Sequence, residues 1–328
     1  TVEEVKVPAG YTASVDGLTV TNKHEVEKTS VSVKKIWDDN NNQDGIRPNE
    51  VTLRLLANGV DTGKTLTVTG SSWTGTFYNL DKYANGKEIV YTVEEGTVPT
   101  GYTATASSLT VTNKHVPSVI SISGSKTWVD GNNQDGVRPE SITVHLKANG
   151  VTVATKTVTA ADGWAWSFEN LPEFENGKRI TYTVVEDAVE DYSTTYNGYN
   201  ITNTHTPAEL SVTVSKVWND NQNQDGIRAN VITVRLLANG KDSGQTLELS
   251  EGNGWTGSFV GLPKFENGRE IVYTIAEVSV EGYTTVISGS QAEGFTITNT
   301  HETEVVSVSG SKTWNDNNNQ DGARPESI

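Results

Sequence analysis

The chain has 328 residues, 25 Lys and Arg against 41 Asp and Glu, a formal net charge of -16, and neither Cys nor Met. Its length suits two to four domains, the lack of Cys excludes any disulfide staple, and the acidic balance argues against a nucleic-acid partner, which needs clustered basic side chains. No apolar run approaches the roughly 18 residues that span a bilayer, no signal peptide or sorting motif stands out, and the abrupt ends read as those of a piece of a larger protein.

Taken in order, the chain repeats itself. Thr1-Val-Glu-Glu4 matches Thr92-Val-Glu-Glu95 and Thr21-Asn22 matches Thr112-Asn113, so residues 1–27 read as the tail of a repeat. Complete repeats follow at 28–116, 117–206 and 207–302, and 303–328 opens a further one. Two independent markers keep this period. Lys35, Lys126, Lys216 and Lys312 are separated by 91, 90 and 96 residues, and Asn22, Asn113, Asn203 and Asn299 by the same steps.

Each repeat opens on one predicted strand: Val31 to Trp37, Ile122 to Trp128, Val212 to Trp218 and Val308 to Trp314. Val, Ile, Thr and aromatic residues then alternate with polar ones between turn signals, which is the strand pattern. Asn58-Gly59, Asn85-Gly86, Asn149-Gly150, Asn176-Gly177, Asn239-Gly240 and Asn267-Gly268 are hairpin dipeptides. Trp73, Phe77 and Leu80 recur as Trp164 (or Trp166), Phe168 and Leu171, and as Trp255, Phe259 and Leu262, and are expected in the core. No amphipathic helix is evident. The fold class is all-β, a tandem array of immunoglobulin-like sandwiches. Short linkers at Pro117 and Pro207 leave little slack, so an elongated rod is expected. In the third repeat the extra length falls on Ser288 to Gly294, expected to be a longer exposed loop.

Alternation in a strand assigns side chains to faces. Val31, Val33, Lys35 and Trp37 share the apolar face, as do Val212, Val214, Lys216 and Trp218. On a late strand, Glu95 follows Ile89, Tyr91 and Val93, with Glu186 and Glu277 at matching places. On the last strand, Asn113 follows Leu109 and Val111, with Asn203 and Asn299 likewise. Each complete repeat thus points one Lys, one Glu and one Asn at its own core. Lys and Glu are 60, 60 and 61 residues apart, and Lys and Asn 78, 77 and 83. Burial lowers a Lys pKa and raises that of a Glu. A neutral amine is a nucleophile, and a protonated carboxyl can polarise a carboxamide and relay protons to departing ammonia. The product is a Lys–Asn isopeptide bond, formed once. A buried Lys–Glu ion pair with Asn as hydrogen-bond partner fits the same residues and parity, and alternation leaves both open. Glu94 is the weaker candidate, because it has the solvent parity and its equivalents are Val185 and Ala276.

Lys216-Val-Trp-Asn-Asp-Asn-Gln-Asn-Gln-Asp-Gly-Ile-Arg228, Val231-Ile-Thr-Val-Arg-Leu-Leu-Ala-Asn-Gly240, Tyr273-Thr-Ile-Ala-Glu277, Gly282-Tyr283 and Thr298-Asn299 resemble Cna B-type domains. These are the stalk repeats of collagen-adhesin-like surface proteins of Gram-positive bacteria. The resemblance runs over essentially the whole chain. It implies a reverse immunoglobulin-like sandwich with an intramolecular isopeptide bond assisted by an acidic residue. Carried onto this sequence, the bonds are Lys35–Asn113 with Glu95, Lys126–Asn203 with Glu186, and Lys216–Asn299 with Glu277. The end pieces depart from the pattern: Glu4 and Asn22 lack a Lys and Lys312 lacks both partners, so no bond is expected there.

Weaker signals have plainer readings. Asp38-Asp-Asn-Asn-Asn-Gln-Asp-Gly45 invites a calcium reading, but its register fails, with Gly131 at the first ligand position in the second repeat and no terminal Glu. It reads as a structural loop. Asp44-Gly-Ile-Arg47 and its copies read as an Asp–Arg brace, and His24, His115, His205 and His301 as junction contacts or solvated side chains. No cofactor or metal is expected.

The sequence therefore predicts a stalk of a cell-surface adhesin, extracellular and wall-anchored on a Gram-positive bacterium, with no turnover enzyme activity. Its expected partners are neighbouring repeats, with no nucleic acid and no membrane contact in this segment, and any host ligand is bound by another part of the full protein. The alternative is an adhesin module that grips a host protein directly, for which the Ser288 to Gly294 loop is the one obvious repeat-specific patch.

Overall fold

The computed structural model describes residues 1–70 and 72–328, and strands carry nearly all of its regular structure. The exceptions are single 3-10 turns at Ala160–Asp162 and Glu251–Asn253. The chain forms two compact units. One comprises Thr1–Thr127, Glu140–Ala188 and Thr195–Ile201, and the other Trp128–Pro139, Val189–Thr194 and Thr202–Ile328. The second repeat's Asp/Asn-rich loop thus belongs with the third repeat.

In the first repeat, one sheet runs in the order Thr103–Ser107, Thr110–Lys114, Lys28–Asp38, Thr74–Asp81. The facing sheet runs Val60–Thr69, Glu50–Ala57, Tyr91–Glu95. The first strand, Lys28–Asp38, is central: it pairs antiparallel with Thr74–Asp81 and parallel with the last strand, Thr110–Lys114. A parallel pair of the first and last strands is what brings residues 78 apart side by side. The second and third repeats keep the same strand orders.

The predicted alternation is the observed core. Val33, Leu53, Leu55, Val68, Val93 and Val111 are buried together in the first repeat, and Val212, Val234, Leu236, Leu249, Leu262 and Ile297 in the third. Fully burying one such side chain stabilises the fold by about 1.5–3 kcal/mol. The Asn-Gly dipeptides turn as expected, with both residues at positive φ, for example Asn176 at 50° and Gly177 at 74°.

One open alternative is resolved and one expectation needs revision. Trp164, at φ 55°, is the counterpart of Trp73 (57°) and Trp255 (59°), whereas Trp166 is an additional core residue with 3 % exposure. The extra length of the third repeat is not a loose loop. It lengthens the last hairpin, Thr284–Ser290 paired with Gly294–Thr300, because the chain gains paired rungs on both sides of the turn. The Gln291 side chain at its tip accepts the Tyr273 backbone N–H at 2.6 Å.

Candidate functional site

The parallel register fixes the site. Lys35 lies opposite Val111, and Asn113 opposite Trp37, two residues further along. Lys216 and Asn299 repeat this against Ile297 and Trp218. The Lys backbone is pinned on its other side, where its N–H donates to the carbonyl of the left-handed Trp: Lys35 to Trp73 at 2.7 Å, Lys126 to Trp164 at 2.7 Å, Lys216 to Trp255 at 2.9 Å. Glu95 comes from the facing sheet, opposite Leu53, as Glu186 does opposite Val144 and Glu277 opposite Val234.

All three types of residue are inside. The Lys35, Lys126 and Lys216 side chains have no exposed surface, and those of Glu95, Glu186 and Glu277 at most 1 %. Asn113, Asn203 and Asn299 are completely buried. In the first repeat the Lys35 Nζ stands 3.9 Å from Glu95 Oε2, and Asn113 Nδ2 donates to Glu95 Oε1 at 3.1 Å. In the third, Lys216 Nζ is 3.4 Å from Glu277 Oε1, and Asn299 Nδ2 donates to the same oxygen at 3.2 Å. In the second, Lys126 Nζ donates to both oxygens of Glu186, at 2.6 and 2.7 Å. The Lys35 and Lys216 ammonium positions also lie 4.3 and 4.2 Å from the Trp37 and Trp218 ring centres.

Burial sets the protonation balance. Loss of water lowers the Lys35 and Lys216 amines to about 8, against the opposing pull of Glu95 and Glu277. It lowers Lys126 too, against its bonds to Glu186. The same desolvation raises the Glu95 carboxyl, partly countered by Lys35 and by the Asn113 hydrogen bond. A proton moved from the amine to the carboxyl leaves two neutral groups in an apolar pocket. All three clusters contain a buried carboxamide oxygen with no hydrogen-bond partner, Asn113 Oδ1, Asn203 Oδ1 and Asn299 Oδ1, and the first has Glu95 Oε2 as well. A protonated carboxyl is the donor that such a carboxamide oxygen lacks.

The end pieces differ. Asn22 Nδ2 donates to Glu4 Oε1 at 2.9 Å, so the Glu–Asn half of the cluster forms, but Asn22 is exposed in a two-stranded sheet. Lys312 is exposed and lies outside any strand.

Sequence reasoning missed a second buried group. Asp39, Asp130 and Asp220 are each 2 % exposed at the end of the first strand. Asp39 accepts from Arg47 Nε at 2.9 Å, from Tyr102 Oη at 2.8 Å and from the Asn42 backbone at 3.0 Å. Burial pushes this carboxyl up, but those bonds prevail and hold it at about 2. Arg138 with Tyr192, and Arg228 with Tyr283, likewise hold Asp130 and Asp220 well below the usual carboxylate range. Tyr102 and Trp73 stand edge-on to Trp37 at 4.9 and 5.1 Å, so this group braces the strand that carries Lys35. The expected Asp44–Arg47 brace is thus corrected: Arg47 pairs with Asp39, because Asp44 faces the linker. Asp44 Oδ2 instead accepts from His115 Nε2 at 3.0 Å, which makes the His a junction contact. The recurring Tyr was the signal: Tyr102, Tyr192 and Tyr283 follow their Asp by 63, 62 and 63 residues.

The Cna protein B-type domain family matches residues 31–114, 122–204, 212–300 and 308–328. The chain is 46 % identical over 325 residues to a collagen adhesin of Staphylococcus aureus, covering 97 % of this chain and 28 % of that protein. It thus spans little more than a quarter of that relative's length. A crystal structure of two B repeat units of the collagen binding protein of Staphylococcus aureus is 44 % identical with a TM-score of 0.54, covering 90 % of this chain and 81 % of that one.

Proposed function

Since this chain belongs to the Cna protein B-type domain family, whose repeats are structural domains and not enzymes, we propose that it is a force-bearing stalk segment of a bacterial surface adhesin, cross-linked within each complete repeat. The bonds are Lys35–Asn113, Lys126–Asn203 and Lys216–Asn299, with Glu95, Glu186 and Glu277 as proton carriers. The relationship to a collagen adhesin supports placement on the cell surface with the wall anchor and the host-binding region in other parts of the full protein.

The observation that carries the reading is the burial of an amine, a carboxyl and a carboxamide in the core of a structural domain. An unreacted trio costs desolvation energy that an apolar trio of the same shape does not. The chemistry balances simply. The neutral Lys Nζ attacks the Asn Cγ as the Glu carboxyl protonates the carboxamide oxygen; the carboxylate then takes a proton from the attacking Nζ and passes it to the departing nitrogen, and ammonia leaves as the carbonyl re-forms and the oxygen's proton returns to Glu. Both carboxyl forms recur in the cycle, so Glu is regenerated. Closing a loop between the first and last strands removes about 4 kcal/mol of unfolded-state entropy on the disulfide analogy. Force entering on the first strand leaves through the last strand across the bond, without unzipping the sheet between them.

The test is the intact mass of the denatured chain. A deficit of one ammonia per complete repeat is expected, and Glu186→Ala should restore one of them. A full mass would leave three buried ionic clusters and remove the covalent basis of the stalk.

A further inference from the structure

Beyond the cross-links, the linkers hold a repeated device. Asp44 Oδ2 accepts from His115 Nε2 at 3.0 Å and from the Ser118 backbone at 2.8 Å. Asp135 holds His205 at 3.0 Å and the Ala208 backbone at 2.8 Å. The next residue in each loop is a glycine that meets a glycine of the following repeat's Asn-Gly hairpin. The Gly177 N–H donates to the Gln43 carbonyl at 3.0 Å, and Gly268 to Gln134 at 2.9 Å. A Cβ on Gly45 would stand 2.4 Å from the Gly177 Cα, and one on Gly136 2.5 Å from the Gly268 Cα. Both partners also have positive φ, from 73° to 74°. A side chain at Gly45 or Gly136 would meet backbone at a distance real Cβ atoms essentially never show, and one on the hairpin side would be both crowded and strained.

The first repeat's hairpin and the third repeat's Asp-Gly turn have the same parts without the contact. Asp225 accepts from His301 Nε2 at 2.9 Å and from the Glu304 backbone at 2.9 Å, so the third linker is held as the first two are. Yet a Cβ on Gly226 would have nothing within 4 Å. Asn85 and Gly86 have φ of 50° and 75°, the shape of Asn176-Gly177, and Gly86 also has open space beside it.

We propose that the Asp-Gly turn of one repeat and the Asn-Gly hairpin of the next are the two halves of a repeat-to-repeat joint, and that Asn85-Gly86 and Asp225-Gly226 are open halves that each take another repeat of the same kind. The carboxylate fixes the path of the linker first. The glycine pair then lets two backbones approach closely enough for the inter-repeat hydrogen bond. The occupant is specific: a Cβ at the hairpin glycine would stand 2.9 Å (Gly177) or 3.0 Å (Gly268) from the Cα of the facing glycine, at a φ that L side chains rarely adopt.

The chain has no cysteine, so spin labels can be placed cleanly at Tyr78→Cys in the first repeat and Val151→Cys in the second, both well exposed. Pulsed electron resonance on the whole chain should give a narrow distance distribution. Gly177→Ala should broaden and shift it, while Gly86→Ala, with the same backbone strain and no partner, should leave it as it was. Equal effects of the two substitutions, or a broad distribution in the parent chain, would overturn the joint. For the open half, residues 305–328 are replaced by a copy of 119–206 and the labels placed across the new junction. A narrow distribution that Gly226→Ala broadens is expected, and a broad one in the parent fusion would refute the open-half assignment.

Discussion

The first and third repeats hold their buried trio in one arrangement and the second repeat holds it in another. In the first and third, the carboxyl stands between amine and carboxamide, bonded to the Asn Nδ2 at 3.1 or 3.2 Å and 3.9 or 3.4 Å from the Lys. In the second, Lys126 and Glu186 close on each other with two short hydrogen bonds. The packing beside the lysine differs in step. Val33 faces Gly75 and Val214 faces Gly257 across their strands, but in the second repeat Gly124 faces Trp166. A Cβ on Gly124 would stand 2.8 Å from the Trp166 ring, so the large residue has moved to the other strand and the small one has followed. One set of buried groups therefore sits in two cores, and the comparison separates the trio from what surrounds it. Under the proposed chemistry, charge pairing and attack on the carboxamide compete for the same amine, and the second repeat has the closer charge pair.

The largest effect that sharpens this contrast comes from removing the amine. Lys35→Met and Lys126→Met each forfeit a cross-link, worth about 4 kcal/mol by loop closure. The ion pairs themselves are compared where the bond is blocked in both repeats, by Asn113→Ala and Asn203→Ala. There Lys126→Met removes two short hydrogen bonds to Glu186, whereas Lys35→Met removes a contact of 3.9 Å with Glu95. Hydrogen bonds to charged groups are worth about 1.5–3 kcal/mol. Thermal unfolding in that background should therefore fall further for Lys126→Met than for Lys35→Met, and equal losses would mean that the closed ion pair contributes nothing of its own.

A smaller effect appears when the bond is blocked but both titrating groups remain. In Asn113→Ala, Lys35 titrates near 8 in the folded repeat against 10.5 when unfolded. Between those pH values the unfolded chain binds more protons, so stability rises with pH, by roughly 2–3 kcal/mol over the window. Glu95 acts in the opposite direction. Its folded pKa is raised, so its contribution is fully present below the ordinary carboxylate range and is lost as pH climbs through the folded value. Urea midpoints of the first repeat should pass through a minimum between the two titrations. A flat profile would remove the desolvation argument, and the cross-linked parent should lack the dip.

Much of this was legible in the chain itself, because strand parity and repeat spacing are local properties. Lys35, Glu95 and Asn113 each break an apolar alternation, and the break is visible without knowing the fold. The Asn-Gly turns follow from the positive φ they need. The buried Asp39 was not legible, since an Asp in an Asn-rich loop looks solvated until Tyr102, 63 residues away, is seen to donate to it. Asp44 was misassigned to Arg47 for the same reason: its partners are His115 and Ser118, beyond the end of its own sandwich. The Gly124 that replaces Val33 had no explanation from its own strand. Only the cross-strand register, with Trp166 opposite, supplies one.

The smallest effect concerns a hydroxyl that divides even the two similar clusters. Thr285 lies opposite Asn299, and its Oγ1 donates to Glu277 Oε2 at 2.7 Å. The matching position beside Asn113 is Ala104, and there Glu95 Oε2 has no hydrogen-bond partner. The Thr285 hydroxyl thus occupies a carboxyl oxygen that in the first repeat is left open to carry the transferred proton. Thr285 should therefore restrain the third cross-link relative to the first. Thr285→Ala should hasten ammonia loss from the third repeat and Ala104→Thr should slow it in the first. A single hydrogen bond of about 0.5–1.5 kcal/mol corresponds to rate changes of roughly two- to ten-fold. Timed mass measurements on freshly synthesised chain, digested so that each repeat is read separately, give both rates. If Thr285→Ala slows the third bond, the hydroxyl is positioning the carboxyl and not occupying the proton's place, and the proton-transfer assignment to Glu277 must be redrawn.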